Sequence, residues 1–300
     1  MRHESEKEYL QSGRRRLREC LAFCLHLRWH YQLGILSGGY LLGGLLSGLH
    51  APVDFVFQFL VIHLLLFGGA TVYNSYWDRD EGPIGGLRNP PPLASWTRPA
   101  SVLLQFGGLV LSIPMGPVYM LFYAISMLFF WLYSHPAYRW KGRPLPSLIA
   151  IGVSTGSNSL VFGYLSAGSQ WDPLILVPAM GVALVMLSLY PVSQMYQLRE
   201  DEARGDRTFA VEFGTQAIYP FFLGSYVSGV LLVTAGFLIW RPWLAIVFPV
   251  LAVLAGGITA FFIKSLKGDS AEYGNVMRVK YIMSLMFVLF LLAAMVIQHY

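Results

Sequence analysis

The sequence predicts an all-α integral membrane protein built as a bundle of about nine transmembrane helices. Three observations predict it. Hydrophobic residues make up 55% of the chain and charged residues only 12%, against roughly 25% charged in a soluble domain. Apolar runs recur at roughly the 20-residue length that crosses a bilayer. The basic residues gather in the short segments between alternate runs, as the positive-inside rule requires. So few charges cannot cover a soluble surface. The net charge of +5 sits in loops beside apolar runs, which is membrane topology and not a nucleic-acid footprint.

The runs fall at about 31–49, 54–77, 99–114, 117–134, 146–167, 173–198, 217–239, 243–264 and 277–299. Only Ile113 to Pro117 separates the third from the fourth, so that turn must be tight. With the N-terminus in the cytoplasm, alternate segments collect 20 of the 21 Lys and Arg residues, leaving Arg241 alone outside. A wrong parity would scatter these charges over both faces. The expected topology is therefore multi-pass, with the N-terminus cytoplasmic and the C-terminus on the opposite side.

Residues 1–28 read as a cytoplasmic tail or an interfacial helix, and 29–300 as one nine-helix membrane domain. In the helical alternative Leu10, Leu17, Leu21, Cys24 and Leu25 face lipid while the arginines meet headgroups. Cys20 and Cys24 stand at i, i+4 and read as small residues on that helix. The arginine-rich start lacks the apolar core of a signal peptide.

Chemistry concentrates at two cytoplasmic helix ends. The second run closes on Asn74-Ser75-Tyr76-Trp77-Asp78-Arg79-Asp80-Glu81-Gly82-Pro83. Asn74 and Asp78 share a helix face, and Gly82-Pro83 ends the helix. Asp78, Asp80 and Glu81 make an oxygen-rich site of the kind that suits Mg²⁺, which binds through one or two carboxylates plus substrate phosphates. The sixth run closes on Gln194-Met195-Tyr196-Gln197-Leu198-Arg199-Glu200-Asp201. Gln194, Gln197 and Asp201 climb one face into apolar surroundings, and intramembrane polar residues usually line a cavity. Glu202, Arg204 and Glu212 read instead as solvated loop residues. After the fourth run, Arg139 and Lys141 either clamp a diphosphate or serve as membrane anchors. Asn158, in a polar cluster with Ser154, Thr155 and Ser157, either lines an acceptor pocket or bonds a neighbouring helix.

At these residues the sequence resembles the UbiA superfamily of intramembrane prenyltransferases. The family's first motif, Asn-Asp-x-x-Asp-x-x-x-Asp, is matched at Asn74 and Asp78. Its second, often Asp-x-x-x-Asp followed by Gly-x-x-Thr, is matched at Asp201, Gly205 and Thr208. Ser75, Gly82 and Gln197 stand where the family has carboxylates, which marks a divergent member. The resemblance implies a UbiA-like bundle with a central cavity and a Mg²⁺-dependent transfer of a prenyl group from an isoprenyl diphosphate to a lipophilic, often aromatic, acceptor. It implies Asp78, Asp201 and Asn74 as catalytic residues. Metal ligands would come from Asp78, Asp80, Glu81, Asp201 and Glu200. Substrate contacts would come from Arg139, Lys141, Tyr196, Gln197, Gln194, Asn158 and Arg79. Tyr73, Trp77, Tyr123 and Tyr196 would flank an allylic cation. Two other readings share the fold: a cyclase that needs no acceptor, and a non-catalytic lipid-binding or transport protein.

Overall fold

A computed structural model describes the backbone of residues 2–299 and the side chains of 13–298. Among the described residues the regular secondary structure is helical, joined by loops, with one isolated bridge between Ile84 and Leu87. Helix α1 (Arg2–His26) precedes α2 (29–47), α3 (Pro52–Asp78) and α4 (Thr97–Leu111). Next come α5 (Pro117–Ser134), α6 (Pro144–Ser166), α7 (Pro173–Arg204), α8 (Thr215–Trp240), α9 (Leu244–Ser265) and α10 (Ser270–Gln298).

Among the described residues, seven of these helices are long and apolar enough to cross a membrane: α3 and α5 to α10. Nine spans was therefore an approximate count. Helices α2 and α4 fill the other two places in the bundle. Gly, Ser, His and Gln dilute the apolar character of α2. At 15 residues, α4 reaches only about 22 Å at 1.5 Å per residue. Leu17, Leu21 and Leu25 of α1 are exposed. Cys20 and Cys24 are exposed as well, and Leu10 lies outside the described side chains.

Local chemistry sets the helix ends. Four helices, α3, α5, α6 and α7, begin with Pro in the first turn, where its missing N–H costs nothing. Gly205 ends α7 at φ 74°, a left-handed cap that favours glycine. Asp78 is the last residue of α3, because Arg79 turns left-handed at φ 50°.

Close backbone contacts hold the bundle. A Cβ at Gly163 would lie 1.9 Å from the Tyr40 carbonyl oxygen, and one at Gly43 would lie 2.1 Å from that of Leu160. Helices α2 and α6 thus touch main chain to main chain, as small residues allow in lipid. Gly181 of α7 and Gly229 of α8 meet in the same way, each Cβ falling 2.8 Å from the other's carbonyl oxygen.

Three helices contain π-helical stretches, at Gln32–Leu36, Val61–Phe67 and Gly152–Ser157. Helix α7 tightens into a 3-10 stretch at Pro191–Gln197, where Pro191 removes a donor. In the α6 stretch, Ser154 and Thr155 donate to the carbonyls of Ala150 (2.6 Å) and Ile151 (2.8 Å). That polar cluster mainly satisfies its own backbone.

Candidate active site

The bundle encloses a cavity of about 420 Å³. Its wall carries Asp78, Asp80, Lys141 and Asp201; much of the rest is apolar, with Phe67, Phe130, Val182, Phe248 and Phe290, although Arg28, Gln32 and Lys280 line it too. The ends of α3 and α7 therefore meet over one space, as their polar sequences implied.

Asp78 is the centre of the charged end. It is 8% exposed. Asn74, one turn earlier, donates its Nδ2 to Asp78 Oδ2 at 2.7 Å and to Ser134 Oγ at 3.3 Å. Lys141 Nζ lies 2.8 Å from Oδ2, and Arg139 Nη1 lies 3.6 Å from Oδ1. Oδ1 is buried with no hydrogen-bond partner. Burial opposes the charge of Lys141, yet the carboxylates of Asp78 and Asp80 hold its ammonium above the ordinary lysine range.

Asp206 positions this cation pair. It is 4% exposed and receives Arg139 Nε at 2.7 Å and Nη2 at 2.8 Å. Those hydrogen bonds keep the Arg139 guanidinium above its usual pKa range. Gly142 packs so closely that a Cβ there would meet Asp206 Oδ1 at 2.5 Å. Arg207 N–H donates to the Gly142 carbonyl at 3.0 Å. The 135–143 loop is thereby pinned to the segment after α7.

The other acidic candidates are differently placed. Asp80 lines the cavity but pairs with Arg204. Glu200 also binds Arg204, at 2.6 Å, and accepts the Glu81 N–H at 3.3 Å. Glu81 is exposed and off the cavity, and so is Arg79, which the left-handed turn sends outward. Arg204, read as a solvated loop residue, is instead the partner of two carboxylates. Asn158 donates to the Phe122 carbonyl at 3.2 Å and to Ser126 Oγ at 2.9 Å, away from the cavity wall. It ties α6 to α5.

Gln194, Tyr196 and Gln197 line the cavity along the 3-10 stretch. Gln194 Oε1 accepts the Ala210 N–H at 3.1 Å. Of the four aromatics expected near a cation, Tyr196 lines the cavity whereas Tyr73, Trp77 and Tyr123 do not. Tyr123 donates to the Gln105 carbonyl at 2.9 Å.

Sequence reasoning gave no role to Asp206, Arg28 or Lys280. Arg28 is buried at the start of α2. It donates to Ser75 Oγ and to the Gly85 carbonyl, the latter at 3.1 Å. His26 Nε2 lies 2.8 Å from the Pro91 carbonyl and His30 Nε2 2.9 Å from that of Gly86. The 79–96 loop is thus latched to the residues between α1 and α2. Ser75, standing where the resemblance expects a carboxylate, has a guanidinium beside it. That is the one signal the sequence offered, and it needed the fold to be legible.

These features define a multi-pass membrane protein with a charged chamber opening into an apolar cavity. The profile of the UbiA prenyltransferase family matches residues 36–279, and the chain belongs to that family. No curated relative matches it by sequence. A UbiA homologue from Archaeoglobus fulgidus bound to DMAPP and Mg²⁺ has a similar fold. Its TM-score is 0.72 at 16% identity, over 91% of this chain and 98% of that one. The same homologue bound to GPP and Mg²⁺ gives a TM-score of 0.65 at 17% identity, over 88% and 99% of the two chains. A digeranylgeranylglyceryl phosphate synthase gives 0.61 at 19% identity, over 93% and 99%.

Proposed function

We propose that this chain transfers a prenyl group from an isoprenyl diphosphate to a lipophilic acceptor inside the membrane. The observation that carries the reading is the cavity itself. Asp78, Asp201 and Lys141 share one end of it, and an apolar wall continues from them.

Mg²⁺ fits this donor set as a single ion. Asp78 Oδ1 is buried without a hydrogen-bond partner, and among the described residues Asp201 forms no ion pair. These two carboxylates would hold the metal with the substrate phosphates completing its shell. Among the described residues no group of three or more acidic, His or Cys side chains forms a fuller site. Asp80 and Glu200 both have carboxylate oxygens engaged by Arg204, so we drop them, with exposed Glu81, from the ligand set. A bound Mg²⁺ supplies charge neutralisation for the leaving diphosphate.

The chain's own residues do the rest. Lys141 supplies a preorganised ammonium for the leaving oxygens, with Arg139 behind it. Asn74 orients Asp78 through the 2.7 Å bond. The apolar wall takes the prenyl chain and keeps water from the allylic carbon. Tyr196 offers the cation a ring face.

The test is diphosphate release from added geranyl diphosphate by membranes carrying the chain. Release should require Mg²⁺ and stop with a chelator. Release indifferent to chelator removes the metal from the mechanism, and absence of both binding and release removes the reading. Hydrocarbon formed by purified protein without acceptor marks a cyclase.

We also place the charged end at the cytoplasmic face, with the C-terminus opposite, because the basic residues flank that end. A reporter active only in the cytoplasm should stay silent when fused after Tyr300. An active one reverses the assignment.

A further inference from the structure

Helix α1 is fixed on one face and open on the other. Glu19 Oε2 accepts the Trp96 Nε1–H at 3.1 Å. The Phe23 and Trp96 rings lie 5.2 Å apart, and His26 Nε2 lies 2.8 Å from the Pro91 carbonyl. At helical spacing Glu19, Phe23 and His26 share one face. Leu17, Cys20, Leu21, Cys24 and Leu25 fall on the opposite face, and all five are exposed. The contacts to Trp96 and Pro91 fix the rotation of the helix, so this stripe points away from the bundle. Arg16 and Arg18 flank it on either side and Arg14 precedes it by a turn; all three are exposed.

The depth of α1 is fixed as well. Thr71 Oγ1 lies 3.1 Å from the His26 carbonyl oxygen and 3.3 Å from that of Leu27. Thr71 sits about two turns, or roughly 10 Å, inside the end of α3 at Asp78. Trp29 Nε1 donates to the Leu64 carbonyl at 3.3 Å, deeper still. At the other level, Glu19 meets Trp96 just where α4 begins. Helix α1 therefore rises from the apolar belt at His26 to the membrane boundary at Glu19. Arg18 is at most roughly 12 Å from His26 along the axis, so the arginines stand near the level where α3 ends. The stripe also runs on through Trp29 and Leu33, both exposed, onto the outer side of α2. A single hydrocarbon surface covers both helices.

We infer that α1 is an interfacial helix whose partner is anionic phospholipid in the leaflet beside it. Leu17, Leu21 and Leu25 rest among the acyl chains, at the depth such helices occupy. Arg14, Arg16 and Arg18 hold lipid phosphates, which guanidinium groups bind through paired, charge-assisted hydrogen bonds. Charge selects the lipid: residues 13–26 carry four arginines and one acid, Glu19, which Arg15 engages at 3.0 Å. A leaflet rich in negative headgroups attracts such a cluster far more than a zwitterionic one. The inference is independent of the prenyl-transfer reading.

The two cysteines of the chain make the test direct, since both lie on the stripe. Cys20→Ser leaves Cys24 for an environment-sensitive fluorophore on the full-length protein. The protein is reconstituted, at one copy per nanodisc, in phosphatidylcholine with phosphatidylglycerol at about three to one. A small fraction of either lipid carries a nitroxide near the headgroup end of its acyl chain. Both lipids should quench the label, and the phosphatidylglycerol form at least about threefold more efficiently at equal amount. Arg14, Arg16 and Arg18 changed together to Gln should bring that ratio to about one while the label stays in lipid. Leu17 and Leu21 changed to Gln should raise quenching by aqueous iodide. A label quenched by iodide and by neither lipid overturns the interfacial placement. A label shielded from lipid and iodide alike shows the stripe covered by protein, which also overturns it. A preference for phosphatidylglycerol that survives the arginine changes, or no preference in the unsubstituted helix, overturns the anionic partner.

Discussion

Replacing Asp78 or Asp201 by Ala is expected to lower diphosphate release by on the order of 10²-fold or more. Glu202→Ala and Glu212→Ala should leave it within about twofold. Asp78 and Asp201 are buried on the cavity wall. Glu202 is exposed, and Glu212 is exposed in a two-point contact with Arg207 at 2.6 and 2.7 Å. Asp78→Ala also strands the Lys141 ammonium, so misfolding must be separated from lost chemistry. Asp78→Asn keeps the shape and the Asn74 contact but removes the charge that would hold a divalent ion. Melting curves in detergent, run beside the turnover assay, make the separation. Full activity in both Asp→Ala variants ends the metal–diphosphate mechanism.

The second large effect is expected at a residue that touches no substrate. Asp206→Ala should raise KM for the prenyl diphosphate by about tenfold or more while lowering kcat less, because it disturbs binding before chemistry. Asp206 makes both hydrogen bonds to Arg139 and packs against Gly142, so it sets where Lys141 stands. Arg139→Ala should cost a similar amount, and the double variant little more than either alone, as expected for residues acting as a unit. Additive losses would show two independent roles and refute the positioning argument. A fall confined to kcat would refute it too.

The bundle was legible because lipid leaves few alternatives. A run such as 243–264 is too apolar for water, and its helix, Leu244–Ser265, departs by one residue at each end. The meeting of α3 and α7 was legible for a related reason: Asn74 with Asp78, and Gln194 with Gln197, repeat at helical spacing beside apolar neighbours. What stayed hidden were pairings between distant loops. Arg139 and Asp206 lie 67 positions apart, and Arg204 and Asp80 lie 124 apart. No periodicity links such charges. Arg79 misled because a single left-handed residue reverses where a side chain goes. Lys280 was counted only among the cytoplasmic-side basic residues, yet it stands within α10 and on the cavity wall. Asn158 read equally as a pocket residue or a helix tie because both roles use the same side chain, and its bonds to α5 give the second.

Helix α10 has a consequence for traffic. Most of its apolar length is not buried in the bundle, yet Met283 and Phe287 on one face form cavity wall while Leu285 and Leu289 on another are exposed. One helix thickness is all that divides hydrocarbon from the reaction space. On the proposed prenyl-transfer reading, a prenylated product crossing it exchanges one oily surrounding for another and meets no water on the way, so its departure carries little hydration cost. Turnover should then respond to the thickness and order of the surrounding acyl chains, as a diffusion step inside the bilayer does, and much less to anything dissolved in the cytosol.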